Sequence, residues 1–328
     1  MRILVTGGRG FIGSNFIRYL LANQKFPVEK VVNVDKQTYA EQGMNLEHMG
    51  ISQDSRLVDI RRDICDKGLV KDVFESSKPD FVFNFAAESH VDRSIQDSED
   101  FVMTNVAGTA NLLDASRDCK VKRFVQISTD EVYGSREEGS FTEDSRLEPS
   151  SPYAASKAAA EHLAFSYFRT HGMNVVVTRS ANNYGEYQFP EKLLPLFITN
   201  LIEGKKVPLM YSKKNPGLNV RDWLHVEDNC RAIWLVACIG ENGEAYNIPG
   251  ENERTNIEMT RMLLKEFGLG EDRIERVGHR KGHDFRYSIK GDKLKALGFE
   301  YKHRDLEKSV GELVEWYRKN EEWWLRLK

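Results

Sequence analysis

Short runs of valine, isoleucine and phenylalanine recur along the first half of the chain, at residues 3–6, 31–35, 81–85, 123–128 and 174–179. They are apolar throughout instead of alternating, the mark of strands buried on both faces of a parallel sheet. Amphipathic stretches of helical length separate them, at residues 11–23, 68–77 and 101–118. This alternation predicts a doubly wound α/β sheet. Residues 151–172 give the clearest helix: a serine to cap it, proline at its first position, an alanine-rich body and a closing glycine. Beyond Ser180 proline and glycine interrupt the pattern, and helices are expected near 192–203, 226–239, 255–267 and 306–324. We therefore expect a sheet domain over residues 1–180, a return to it near 219–248, and a smaller, interleaved α/β lobe made mainly from 181–328.

Composition narrows the class. The 328 residues are 40% hydrophobic, ample for a large core. With 47 basic and 50 acidic residues the net charge is −3, so no bulk attraction to nucleic acid is expected. No apolar stretch approaches the ~20 residues of a membrane span, and the opening MRILVTGG has neither the charged start nor the long apolar stretch of an export signal. A cytoplasmic protein without nucleic-acid or membrane partners is the expectation. Cys65, Cys119, Cys230 and Cys238 are scattered, and none forms a CxxC pair. His279 and His283 have the only metal-like spacing, across Arg-Lys-Gly, and no metal is expected there.

The run TGGRGFIGS follows the first strand and opens the first helix, placing Gly7, Gly10 and Gly13 three residues apart. Glycine is required where a side chain would block a pyrophosphate or the helix-to-strand contact, and the helix start then offers N–H groups to phosphate. The strand that follows ends at Asp35, whose carboxylate can accept from an adenosine ribose and repels a 2′-phosphate; NAD is favoured over NADP, with the neighbouring Lys36 pulling the other way. Glycine turn, strand and acid together predict a Rossmann-type dinucleotide fold. Asp63 and Ile64 are placed to bracket the adenine, and the small Ala86 and Ala87 after Phe85 let a dinucleotide lie close.

On the clearest helix, Tyr153 and Lys157 stand four residues apart and so share a face. A lysine ammonium beside a phenol is expected to lower its ordinary pKa of about 10, making Tyr153 a base. Ser128 or Thr129, closing the preceding strand, supplies a hydroxyl. Glycine turn, acid, hydroxyl and YxxxK together resemble the extended short-chain dehydrogenase/reductase superfamily. That resemblance implies hydride chemistry on a sugar nucleotide.

Two adjacent carboxylates, Asp130 and Glu131, follow the same strand within STDEVYG, and acids at a strand's C-terminal end are costly to bury without a use. With NFAAESHVDRSI (84–95), NNYGEYQFPEKLLP (182–195) and NVRDWLHVED (219–228), this stretch is similar to the dTDP-glucose 4,6-dehydratase family. The resemblance implies that Thr129 bonds the sugar at O4, Asp130 is a general acid and Glu131 a general base. Tyr153 would take the C4 hydroxyl proton as NAD accepts the C4 hydride, and the ketone so formed acidifies C5. Glu131 then removes the C5 proton, Asp130 protonates the leaving C6 hydroxyl, hydride returns to C6 and C5 is reprotonated, so that the cofactor ends unchanged and stays bound.

The same resemblance places Phe11, Ile12, Lys36, Thr38, Ser89, Thr104 and Asn183 on the cofactor with the residues already named. It assigns Glu88, His90, Asn182, Lys192, Leu193, Arg221, Asn256, His283 and Tyr287 to the substrate, dTDP-glucose being preferred. The stretch SKKNPGLN at 212–219 is longer than the family's usual turn beside the nucleotide, which leaves UDP-glucose open. It further implies a homodimer built on helices 101–118 and 151–172. A UDP-sugar 4-epimerase and a silent NAD-binding regulator are the competing readings; the tyrosine, lysine and acid pair together argue against the second.

Overall fold

All five apolar runs form strands, and they lie side by side. β1 (Arg2–Thr6), β2 (Lys30–Asp35), β3 (Leu57–Arg61), β4 (Phe81–Asn84), β5 (Arg123–Thr129) and β6 (Val175–Ser180) build the first part of the chain. β7 (Asn182–Tyr184), β8 (Val207–Met210), β9 (Val220–His225), β10 (Ala245–Ile248), β11 (Glu253–Thr255) and β12 (Ile274–Val277) follow. The structure is a computed structural model describing residues 1–23, 27–37, 44–212, 215–278 and 284–328. Thr38 and His283, like His279, lie outside the described residues.

A seven-stranded sheet runs in the order β10-β6-β5-β4-β1-β2-β3, with every pairing parallel. Successive residues of each strand feed opposite cores. Ile3, Val5 and Phe83 pack with Phe16, Leu20 and Trp234 on one face; Leu4, Val82 and Phe124 pack with Phe74, Leu112 and Ala164 on the other. The order reverses between β1 and β4, and at such a switch point a doubly wound sheet opens a crevice at its strands' C-terminal ends.

Two further strands of this sheet lie outside the five apolar runs, one of them in the expected return near 219–248. β3 lies at the edge and alternates buried with exposed residues, so it lacks a continuous apolar signal. β10 is wholly buried but only four residues long, and it enters from the chain's second half to pair with β6. Helix Val226–Ile239 returns with it and packs on helix Phe11–Ala22.

Helix Pro152–His171 forms as its caps predict: the Ser151 hydroxyl accepts from the Ala154 N–H at 3.1 Å, and Gly172 closes it at φ +63°. The expected helix 101–118 is not uniform, because residues Val102–Gly108 form a wider, π-type turn before the α-helix Thr109–Asp118 begins. Inside that turn Asn105 bonds both Glu88 main-chain groups and Ser156, tying the ends of three elements together. The expected helix 306–324 breaks at Asn320 into Leu306–Lys319 and Glu321–Leu325. β7, β9 and β11 form a small sheet, β8 and β12 a second. Tyr184, Trp223, Met259, Tyr317, Trp323 and Trp324 fill a separate core there.

Candidate active site

The glycine turn is tight for a measurable reason. Gly7 sits at φ +69°, and a Cβ there would fall 2.7 Å from the Ala86 nitrogen, so β1's exit and β4's exit touch backbone to backbone. A Cβ on Gly13 would run into the Gly7 carbonyl. Gly10 caps helix Phe11–Ala22, and the outer parts of Phe11 and Ile12 pack on the core beneath. Asp35 is buried at the end of β2, where its carboxylate accepts from the Arg9 N–H at 2.9 Å and the Gln37 N–H at 2.8 Å.

A cavity opens beside this turn. Nine of the residues assigned to ligands line it: Gly7, Asp35, Lys36, Asp63, Ile64, Ala86, Ala87, Glu88 and Thr104. Val34 and Arg62, not anticipated, complete the lining. Lys36 donates to Thr104 at 3.0 Å and pairs with Glu88 at 3.2 Å. Glu88, expected on the substrate, is therefore at the cofactor cavity in this structure. The adjoining Ser89 is exposed. The cradle made by Gly7 against Ala86 and the buried acid at the end of β2 fit the adenosine half of a dinucleotide.

Further along the same crevice, Thr129 closes β5. Its hydroxyl donates to Asp130 Oδ1 at 3.3 Å and accepts from the Glu131 N–H, capping the single turn Asp130–Tyr133. Asp130 is 2% exposed, and its Oδ2 has no hydrogen-bond partner among the described residues. Burial above all, then the charges of Glu131 and Asp222, push its carboxyl well above the usual range, with Arg221 and Thr129 opposing. These surroundings favour the protonated form of the acid. Tyr153 is raised from its ordinary value by burial and by Glu131 and Asp130, against a hydrogen bond with Thr129. Lys157 is pushed down to about 8 by burial, opposed by Glu161, and its ammonium donates to the Ile127 carbonyl at 2.6 Å. This differs from one expectation: Lys157 gives one of its three donors to β5's backbone, and burial and the two acids beside the phenol hold its proton instead of loosening it.

Three comparisons with known proteins bear on this arrangement. The GDP-mannose 4,6 dehydratase family profile matches residues 4–309. A dTDP-glucose 4,6-dehydratase of Streptomyces niveus is 49% identical over 332 residues, covering 100% of this chain and 96% of that protein. The crystal structure of DesIV, a dTDP-glucose 4,6-dehydratase from Streptomyces venezuelae with NAD and dTDP bound, superposes with a TM-score of 0.95 at 47% identity, each chain covered in full. The chain belongs to the dTDP-glucose 4,6-dehydratase family. A UDP-glucose 4-epimerase from Thermotoga maritima shares the fold at a TM-score of 0.87, covering 97% of this chain and 99% of its own, but only 28% identity.

In this member of the dehydratase family two assigned residues from distant segments, Arg221 and Tyr287, come within electrostatic reach of the acid pair. Arg221, on β9, is 4.4 Å from the ring centre of Tyr287. Its guanidinium donates to the carbonyls of Val220 (2.6 Å), Asp284 (3.1 Å) and Phe285 (3.3 Å), so the fork expected on a diphosphate meets backbone here. The Tyr287 hydroxyl donates to Asp284 at 2.6 Å, and burial with the Glu131 charge raises it. Asn182 and Asn256 each carry a buried side-chain oxygen without a partner among the described residues, as Asp130 does. Buried polar atoms are ordinarily satisfied, so such atoms on two assigned substrate residues and the assigned general acid are able to accept from a polar ligand.

Other assignments sit less directly. Asn183 is committed to its own lobe, donating to the Ala181 carbonyl and accepting from Asn229. His90 caps helix Val91–Gln96 and stands 3.4 Å from Glu191, while Lys192 and Leu193 begin helix Leu193–Ile202 beside it. Asp222 was missed: it is buried on β9, accepts from the Gly250 and Asn252 N–H groups, and has its pKa raised to about 6 by burial. Its place next to Arg221 was visible, but its bearing on Asp130 depends on a contact 92 residues away in sequence. His225, Glu227 and His303 also cluster closely enough to hold a metal. The two rings are stacked 3.7 Å apart and the carboxylate is paired with Lys302 and His303, so their lone pairs do not converge on one ion. Among the described residues no helix is long and apolar enough to cross a membrane.

Proposed function

We propose that the protein converts dTDP-glucose to dTDP-4-keto-6-deoxyglucose with NAD as a retained cofactor. The observation that carries this reading is the acid pair at the end of β5, one member of it buried, with an unpartnered oxygen and a raised pKa, and both acting on the tyrosine. NAD, when bound against Gly7 and Asp35, supplies a hydride acceptor at C4 of the sugar, a donor at C6 and the positive charge of its oxidised ring. Tyr153 takes the C4 hydroxyl proton, which its dry and acidic surroundings alone would not favour, so its task depends on nearby positive charge. Thr129 orients O4 by its hydroxyl. Glu131 removes the C5 proton, made acidic by the C4 ketone. Asp130 delivers its own proton to the C6 hydroxyl, which leaves as water; once C6 has received its hydride, C5 is reprotonated, which completes the 4-keto-6-deoxy product.

An epimerase has no need of a protonated carboxyl beside the tyrosine, and the low identity to the epimerase agrees with that distinction. A substrate deuterated at C4 separates the two: the label should appear at C6 of a 6-deoxy product. Retention of the C6 hydroxyl would overturn the reading. Residues 181–328 receive the nucleotide in this scheme, and comparing dTDP-glucose with UDP-glucose tests the base. The exposed Val102 and Met103, near helix Pro152–His171, support a homodimer through these helices, which sedimentation measures. Free cysteines and a nucleotide-sugar substrate support a cytoplasmic site, which cell fractionation tests.

A further inference from the structure

Asp35 is not the only charge at the ribose end of the cofactor cavity. Arg9 sits inside the glycine turn itself, its N–H on Asp35 and its guanidinium turned along the flank of β2 and β3. Arginine is the side chain best shaped to receive a phosphate, and a 2′-phosphate on the adenosine ribose would arrive close to it. Here the fork is already filled. Nε donates to Asp59 at 2.8 Å, Nη2 also bonds Asp59, and both terminal nitrogens reach Glu47, at 3.2 and 3.4 Å.

The pairing is built into the sheet. Asn33 and Asp35 point to one side of β2, two residues apart, and Asp59 stands opposite Asn33 on β3. Asn33 accepts from the Gly8 N–H at 2.9 Å and donates to Asp59 at 2.7 Å. The glycine turn, β2 and β3 thereby fix Asp59 against Arg9. Asp59 is 23% and Arg9 12% exposed in their side chains, so solvent screens this pair only in part. The other nearby cations answer differently: Lys36 is paired with Glu88, and Arg62 stands at the exposed exit of β3.

We propose that Asp59, assisted by Glu47, is a cofactor-specificity residue: it occupies Arg9 and so denies a 2′-phosphate the guanidinium next to the ribose. The proposal rests on the NAD reading above. Without these two acids the turn would present an arginine, and Asp35 alone would have to reject NADP.

The test equilibrates the purified protein with an equal mixture of NAD and NADP and reads, by mass spectrometry after denaturation, which is bound. Wild type should hold NAD. Asp59→Asn keeps the acceptor for Asn33 and with Glu47→Gln should raise the NADP-to-NAD ratio by about tenfold or more, the scale of one or two charges at this range. Glu47→Gln alone, at an exposed site that folding tolerates, should raise it about threefold. Adding Arg9→Ala to the double variant should abolish the gain. An unchanged ratio in both variants, or a gain that survives loss of Arg9, would overturn the proposal. A wild-type protein that takes up neither nucleotide would instead remove the NAD reading, and this inference with it.

Discussion

The acid pair shows how much of one residue's character comes from its surroundings. Asp130 and Glu131 are adjacent, yet Asp130 turns into the interior while Glu131 stays partly exposed. The folded-state pKa of Asp130 is raised, so between the unfolded and folded values the folded protein holds a proton that the unfolded chain has released. Its contribution to stability therefore falls as pH rises above the ordinary carboxylate value. Asp130→Asn removes that penalty with almost no change in shape. The melting temperature at pH 7 should rise by about 2–4 °C, while elimination slows by about 10²-fold or more. A variant that is less stable and equally slow would mean the carboxyl is structural. Lys157 runs the other way: its ammonium is lost as pH climbs through about 8. If that charge supports Tyr153, C4 oxidation measured in single turnovers falls above pH 8, and Lys157→Arg, charged throughout, loses this limb. Tyr153→Phe should stop oxidation itself, whereas Glu131→Gln should allow it and halt solvent deuterium from entering at C5. Tyr153 and the acid pair were legible in sequence, because the motif fixes their spacing. The direction of the tyrosine's shift was not, because it depends on how deeply the fold buries the phenol and on the two acids brought up to it.

At the scale of elements, legibility followed burial. The strands buried on both faces announced themselves, and so did the helix whose serine, proline and glycine all act locally. β3 escaped because an edge strand needs only one apolar face, and β10, though inside the expected return, made no apolar run because Asn247 interrupts it. The π-type turn at Val102–Gly108 is invisible to periodicity, since its cause lies elsewhere: Asn105 is drawn to Glu88 and Ser156. The glycine turn is the opposite case. Its function as a cradle follows from the approach of two backbones, and Gly7→Ala tests that directly. A methyl group must enter space held by Ala86 at a φ that alanine rarely adopts. NAD affinity should fall by about tenfold or more while the sheet, whose strands end before the turn, stays folded by circular dichroism. Unimpaired NAD binding would place the cofactor away from this turn.

The whole molecule joins its two ends at the cofactor. Trp323, five residues before Lys328, is buried and donates through its indole N–H to Asn45 at 3.1 Å. Asn45 passes the connection on, donating to the Arg9 carbonyl at 3.1 Å and the Ser14 hydroxyl at 3.3 Å, so the far end of the chain braces the glycine turn. Tyr317 makes a second tie, its hydroxyl donating to the Gln188 carbonyl at 2.6 Å on the loop that carries Tyr187 at φ +68°. None of this was readable locally, because the donor and acceptor lie 278 residues apart. Trp323→Phe preserves most of the packing against Tyr187 and Trp316 and removes only the N–H. Leaving buried Asn45 short of a partner should cost about 1–2 kcal/mol of stability. If the brace matters for the site, NAD should also bind several-fold more weakly, because part of its binding energy would then go to ordering Arg9 and its turn. Thermal melting and NAD titration on the same variant separate the two effects. A fall in melting temperature with NAD affinity intact would show that the C-terminal helices stabilise their own core and leave the glycine turn to hold itself.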